Sequence, residues 1–337
     1  MQARKGAEYV VGVDLGGTNV RAAVLDRTEN TLGRQEMASD AKAGVERTVG
    51  QIAACIQGAV RSSGLALEQI GAIGMAVPGH IDSPAGVIRW APNFGDNLGG
   101  SYAPYKNVPL RRLVEEALGV AMVMDNDANV AALGEFRFGA GRGTHHLVMF
   151  TLGTGVGGGV IIDGLVLRGA TGGAAEIGHI IIADGVGGSA NGAHGRLESL
   201  AGRDAIIERA ALAMESGRET LLWEHVESTD ALQIVLTPKA IDDAAEKGDA
   251  MAAEVMRETG HFVGLGIASM VNVFNPDVVV LGGQISNSEV LFQAAKRTAR
   301  ASAVGSLFGS ARVVRAELGD NAGIMGAAEL AWREVNA

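Results

Sequence analysis

The sequence predicts an α/β protein built from two domains of one design, and three observations carry that prediction. Apolar strands alternate with helical stretches along the chain. A unit of strand, glycine turn and strand occurs near residue 10 and again near residue 147. The chain has 337 residues, about two domains at roughly 150 residues each.

The elements follow in order. Val10–Val13 reads as a strand, Asp14–Asn19 as a tight turn and Val20–Leu25 as the returning strand. Val49, Ile52, Ala53, Ile56 and Val60 give 45–62 a helical period. Ile70–Val77 is a short apolar strand ending at Pro78 and Gly79, Leu110–Leu118 a helix and Val120–Met124 a strand. Asp125–Asn129 then precedes a helix over 130–136, with Asp and Asn near its start. The pattern restarts with a strand at Leu147–Leu152, a glycine turn at Gly153–Gly158 and a strand at Gly159–Ile162. A Gly-rich loop over 186–195 and a mostly helical stretch over 197–216 come next. Helices are expected over 238–247, with Pro238 in the first turn, and over 250–274, stopped by Asn275 and Pro276. The long helix is expected to serve the core, because a buried strand, Val278–Leu281, follows it. Helices over 289–301 and 323–335 complete the pattern. No Pro/Ser linker interrupts the chain, so the domain break is expected as a hinge near Met124–Asn126. That places 1–124 with the closing helix, 321–337, in a smaller lobe and 125–320 in a larger one.

Composition narrows the function classes. Glycine accounts for 49 residues, about twice the usual ~7%. There is no Gly-X-Y period and only 7 prolines, so neither collagen nor a linker explains it. Tight turns and close backbone approaches do. The formal charge of −10 speaks against a nucleic-acid partner. One cysteine, Cys55, excludes an internal disulfide and a cysteine-rich metal site, and reads as a small buried apolar residue. The apolar run from Tyr9 stops at Asp14, too short for a secretory core. The stretch 147–167 is interrupted by Thr151, Thr154, Asp163 and glycines, so no membrane span is expected and the protein reads as cytoplasmic.

The glycine turns carry chemistry, because a backbone without Cβ atoms can aim several N–H groups at one anion. Asp14, Gly16, Gly17, Thr18 and Asn19 offer such a turn with a carboxylate and a hydroxyl; Gly153, Thr154, Gly155 and Gly157 offer a second. The second turn matches G-x-G-x-x-G in form, but a strand follows it where a dinucleotide site needs a helix. No G-x-x-x-x-G-K-[ST] occurs.

Two phosphate-cradling hairpins in a duplicated α/β chain resemble the sugar kinase and actin superfamily. In more detail, Asp14–Arg21 is similar to the first phosphate motif of the ROK family of repressors and sugar kinases. Asn126–Glu135 looks like its catalytic segment and Leu152–Gly158 like its second phosphate motif. Glu176–His179 looks like its sugar-binding E-x-G-H, and Val280–Gly283, with Gly282 and Gly283, like its adenosine-side motif. The matches run in family order from residue 10 to about 330. The resemblance implies a two-lobed actin-like, ribonuclease H-like ATPase fold with a cleft between the lobes, a homodimer, and ATP and Mg²⁺ as cofactors.

It also implies roles. Asp127 becomes the catalytic base that takes the proton of a sugar hydroxyl, where local sequence alone would equally allow a helix N-cap. Asp14 organises Mg²⁺ through water, or caps its own turn. Gly79, Asn93, Asn126, Asp127, Glu176, His179 and Glu198 become sugar contacts, since a neutral sugar needs paired donors and acceptors. Many family members carry a zinc motif C-x-C-G-x-x-G-C-x-E here. In this chain Ser189, Asn191 and Arg196 replace the three thiolates while Glu198 remains. Arginine is no zinc ligand, so zinc is not expected, and hydrogen bonds involving Arg196 would have to hold the loop.

The reaction so implied is ATP-dependent phosphorylation of glucose at its 6-hydroxyl. Fructose, mannose and N-acetylhexosamines remain as alternative substrates. A sugar-responsive repressor is disfavoured, because only nine residues precede the first strand and the chain is acidic. A non-catalytic sugar-binding protein is the remaining alternative.

Overall fold

A computed structural model describes residues 1–98, 101–183, 195–225 and 236–337. The chain divides into two compact units: Met1–Gly143 with Leu165–Ala175 and Leu318–Ala337, and Thr144–Gly164 with Glu176–Glu317.

The first unit opens with an antiparallel hairpin, β1 (Tyr9–Leu15) and β2 (Asn19–Asp26), closed by Gly16 N–H donating to the Asn19 carbonyl at 2.8 Å. β3 (Thr31–Ala38) continues it antiparallel. After α1 (Val45–Ser62), β4 (Ile70–Val77) pairs parallel with β1. β5 (His80–Asp82), β6 (Val87–Leu98) and β7 (Ser101–Val108) form a separate antiparallel sheet. α2 (Leu110–Leu118) leads to β8 (Met122–Asn126), which extends the main sheet to the order β3-β2-β1-β4-β8. α3 (Asp127–Phe138) follows directly.

Alternation along β1 sets the layers. Val11 and Val13 pack in one core with Ile52 and Ile56 of α1 and Val114 of α2. Val10 faces the other way, toward Ile324, Ala328 and Val335 of the closing helix. That helix can lie on the strands because Gly12 and Gly74 lack side chains. A Cβ on Gly12 would come 2.3 Å from the Ile324 carbonyl oxygen, and one on Gly74 1.7 Å from that of Ala327.

The second unit repeats the plan. β9 (Leu147–Leu152) and β10 (Val156–Ile162) form an antiparallel hairpin; the two-residue strand β11 (Leu165–Val166), next in sequence, belongs to the first unit. Among the described residues, α4 (Leu197–Ala201) and α5 (Arg203–Glu215) precede α6 (Pro238–Glu246) and α7 (Ala250–Phe274). β12 (Val278–Gly282) pairs parallel with β9, as β4 does with β1. α8 (Glu289–Ser302), α9 (Gly305–Ser310) and β13 (Arg312–Arg315) complete the second unit, and the chain closes with α10 (Ala322–Asn336) in the first. Each unit is therefore α/β, with a glycine-turned hairpin beside a parallel strand, the plan of the two-lobed actin-like ATPase fold. α7 is largely buried and stops at Asn275, whose left-handed φ of 45° precedes Pro276. Among the described residues no helix is long and apolar enough to cross a membrane.

Several elements depart from the sequence expectation. The helix expected over 197–216 breaks at Gly202, where Arg203 N–H donates to the Gly153 carbonyl instead of continuing one helix. β3, the β5–β7 sheet, α9 and β13 were not expected. β3 is mostly exposed and lacks the alternation that marks a half-buried strand. The unit boundary also differs from the expected hinge at 124–126: residues 125–143, 165–175 and 318–320 belong with the first unit. The reason is packing. α3 lies on α10 through Gly134 and Gly326, where a Cβ would meet the Ala322 and Val130 carbonyl oxygens at 2.4 and 1.8 Å. Glu135, fully buried, also accepts the Leu318 and Ala140 N–H groups at 2.7 and 2.9 Å.

Candidate active site

In the first unit the glycine turn Gly16–Thr18 follows Asp14, whose Oδ2 accepts Arg21 Nη2 at 2.5 Å across the β1–β2 register. The carboxylate lies against the first turn of α10, because Gly323 leaves it room: a Cβ there would be 2.9 Å from the Asp14 Cγ. A helix N-terminus favours a carboxylate. Gly17, Thr18 and Asn19 are exposed. The Asn19 side chain turns to Glu36, donating Nδ2 to Oε1 at 2.8 Å, while its carbonyl closes the turn on the Gly16 N–H.

The other first-unit residues gather beside this turn. Gly17 and Asn93 are neighbours, a Cβ on Gly17 falling 4.0 Å from the Asn93 Cβ. Asn93 lies where the β6–β7 register shifts, between Ala91 and Gly95. Gly79, at φ +108°, lies against Ala91, and a Cβ there would be 2.5 Å from the Trp90 carbonyl oxygen. Its own carbonyl accepts Asn126 Nδ2 at 3.0 Å. Asn126 is the N-cap of α3, its Oδ1 accepting the Ala128 and Asn129 N–H groups at 3.0 and 3.3 Å. Asp127 is thus the first helical residue and not the cap, although its Oδ1 also accepts Ala128 N–H at 2.8 Å. Both Asn126 and Asp127 are half-buried.

In the second unit the turn after β9 closes by Gly153 N–H donating to the Gly155 carbonyl at 3.0 Å. Thr154 is exposed, and Gly157 pairs with Thr151 at the start of β10. Glu198 Oε2 accepts the Val156 N–H at 3.0 Å, and a Cβ on Gly155 would stand 2.1 Å from that same oxygen. Gly283, at φ +84°, abuts the end of β9, where a Cβ would be 2.2 Å from the Leu152 carbonyl oxygen, and Gly282 pairs with Thr151. Glu176 and His179 face each other with Oε2 and Nε2 3.8 Å apart. Arg196 Nη1 lies 3.3 Å from His179 Nδ1. Guanidinium only donates, so this contact makes Nδ1 the acceptor and puts the imidazole proton on Nε2, facing Glu176. Gly178 packs so closely on β10 that a Cβ would meet the Val156 carbonyl oxygen at 2.0 Å. Ser189, Asn191 and His194 lie outside the described residues.

The first unit therefore brings together the first turn, Gly79, Asn93 and Asn126, with Asp127 next in the chain. The second unit brings together the second turn, Glu198, Gly282 and Gly283, and packs the Glu176–His179 segment on β10. Sequence reasoning missed four contributors: Gly323 behind Asp14, Arg21 on its carboxylate, and the Asp125–Arg168 pair under the Asn126 corner. Arg21 stood inside a recognised motif, and Asp125 stood two residues before Asp127, to which that motif assigns the role. Gly323 and Arg168 carried no local signal.

Residues 10–334 match the ROK family. The glucokinase of Halalkalibacterium halodurans is 33% identical over 335 residues, covering 98% of this chain and 96% of its own. The crystal structure of a ROK family glucokinase from Streptomyces griseus, in complex with glucose and AMPPNP, superposes with a TM-score of 0.77 at 33% identity, covering 96% and 99% of the two chains. A putative xylose repressor from Caldicellulosiruptor is 28% identical over 97% of this chain and 78% of its own. Both a family match across nearly the whole chain and relatives of this identity lead to one conclusion: the chain belongs to the ROK family.

Proposed function

We propose that this chain is an ATP-dependent hexose kinase that phosphorylates glucose at its 6-hydroxyl. The observation that carries the reading is the Asn126 cap. Its Oδ1 caps α3 and its Nδ2 ties that cap to Gly79, which fixes Asp127 as the first residue of the helix beside Asn126. The glucokinase relatives and the glucose–AMPPNP complex of one of them support the same substrate class.

Asp127 accepts the proton of the 6-hydroxyl as that oxygen forms its bond to the γ-phosphorus. The bond from the γ-phosphorus to the β–γ bridging oxygen breaks, and ADP leaves. Asn126, Asn93 and Gly79 hold sugar hydroxyls in the first unit; Glu176, His179 and Glu198 do so in the second. His179 donates through Nε2 and the carboxylates accept. The Gly17 and Thr18 N–H groups of the first turn and the Thr154 and Gly155 N–H groups of the second donate to phosphate oxygens, and Gly282 and Gly283 lie on the nucleotide side. A single carboxylate beside a hydroxyl-bearing turn fits a water-mediated Mg²⁺, so Asp14 would hold it there. When bound, that ion neutralises phosphate charge. No zinc is proposed for 189–198.

The test is a coupled ADP-release assay with Mg·ATP and a panel of hexoses, run beside Asp127→Asn. The expected result is that glucose gives the highest kcat/KM and that the variant loses about 10²–10⁴-fold in kcat. A different preferred hexose with an equally inactive variant keeps the mechanism and changes the substrate. Sugar binding without turnover by the native protein overturns the kinase reading in favour of a sensor. One equivalent of zinc in the purified protein overturns the zinc-free loop.

A further inference from the structure

Asp125 sits one residue before Asn126 and only 1% of it is exposed. A carboxylate this deep is costly unless both oxygens are paired. Here they divide the work. Oδ2 accepts Arg168 Nε at 2.7 Å. Oδ1 accepts the Asn126 N–H at 2.8 Å and Asn129 Nδ2 at 3.2 Å. One oxygen thus holds a cation, while the other gathers two donors from the corner where β8 becomes α3.

Arg168 has its place independently of Asp125. It lies on 165–175, a stretch that belongs to the first unit although the second unit flanks it in sequence. The same stretch is tied down by the Thr171 carbonyl, 2.9 Å from His80 Nε2. It is also tied by Gly172, which packs so tightly that a Cβ would be 2.1 Å from the Ile81 carbonyl oxygen. His80 and Ile81 belong to β5, the strand that follows Gly79. The stretch therefore braces both supports of the corner: β5 beyond Gly79, and Asp125 before Asn126.

We propose that Arg168 is a positioning residue: through buried Asp125 it locks the corner that presents Asn126 and Asp127. Its guanidinium orients the Asp125 carboxylate, that carboxylate fixes the Asn126 N–H, and Asn126 caps the helix whose first residue is Asp127. Arg168 touches no reacting atom. The consequence for turnover rests on the kinase reading above; the lock itself does not.

The experiment compares Arg168→Met and Arg168→Lys with the native protein by steady-state kinetics on a hexose panel. Hydrogen exchange is read by mass spectrometry in the same proteins. A shift of about 1 Å in a catalytic group costs on the order of 10²-fold. Arg168→Met is therefore expected to lose about 10²-fold in kcat while the sugar KM rises less than about tenfold. Arg168→Lys, which keeps a donor and a charge, recovers most of that loss. Exchange is expected to quicken about tenfold or more at 126–129 in Arg168→Met and to stay unchanged in the β9–β10 hairpin. Native kinetics, or exchange that quickens uniformly with a fall in kcat matching the unfolded fraction, overturns the proposal. If Arg168→Met does not fold, Asp125→Asn takes its place. It turns an amide toward Arg168, and unchanged exchange at the corner then overturns the lock. If the native protein phosphorylates no hexose, the kinase reading fails and the exchange comparison alone decides for or against the lock.

Discussion

Gly155→Ala probes how Glu198 is held. Gly155 does not have a positive φ, so its backbone accepts alanine and the substitution acts through space alone. The new Cβ would stand 2.1 Å from Glu198 Oε2 and 3.0 Å from its Cδ. Ordinary contact needs more than about 3 Å, so the carboxylate must retreat by about 1 Å. Glu198 is flexible and gives way, but it then loses the Val156 N–H, now 3.0 Å from Oε2. A hydrogen bond to a charged group contributes about 1.5–3 kcal/mol, or about 10- to 150-fold. With Glu198 as a sugar ligand, kcat/KM for the sugar should fall within that range while the fold persists. A double-mutant cycle with Glu198→Ala isolates the effect. In the Glu198→Ala background, Gly155→Ala should cost less than about 0.5 kcal/mol, because the clash and the lost bond are already gone. Steady-state kinetics of the four proteins supply the cycle. Native kcat/KM in Gly155→Ala, or fully additive losses, would refute the coupling between Glu198 and the turn.

Two further predictions concern the rest of the molecule. Cys55 is fully buried on α1, 3.4 Å from the Val20 and Gln35 carbonyl oxygens, and burial pushes its thiol up to about 11. The folded protein should therefore resist thiol reagents at pH 8 and take up one equivalent on unfolding; full labelling of the folded protein within minutes would contradict this. Asp277 Oδ2 accepts the backbone N–H groups of His146 and His145 at 2.8 and 2.9 Å, and these bonds, the His146 one first, hold its carboxyl below the ordinary 3.8. A depressed folded value means stability that is fully present above that ordinary value and lost as pH falls through the depressed one. Urea midpoints measured from pH 7 to pH 3 should fall less steeply in Asp277→Asn than in the native protein, and parallel curves would rule out the contribution.

The sequence by itself determined the local chemistry. Paired glycine turns after apolar strands, Asn126 and Asp127 before a helical period, and Pro276 after a long apolar helix are written in neighbouring residues. Such signals survive because a turn, a cap and a strand each depend on a few adjacent side chains. The boundaries of α1 and β4 were legible for the same reason: both run as expected, over 45–62 and 70–77. β3 was not, since an exposed strand takes its place from its neighbour's hydrogen bonds and not from its own pattern.

Only the tertiary structure decided the partners. Arg168 meets Asp125 from 43 residues away, and Glu198 meets Val156 from 42. Gly323 meets Asp14 across nearly the whole chain. Periodicity says which face of an element is buried, but not what it is buried against. A lone arginine or glycine therefore carries no mark of the carboxylate it will hold or admit. The same holds for the unit boundary. α3 joins the first unit because Gly134 and Gly326 let it lie on α10, and that close approach depends on two glycines far apart in sequence.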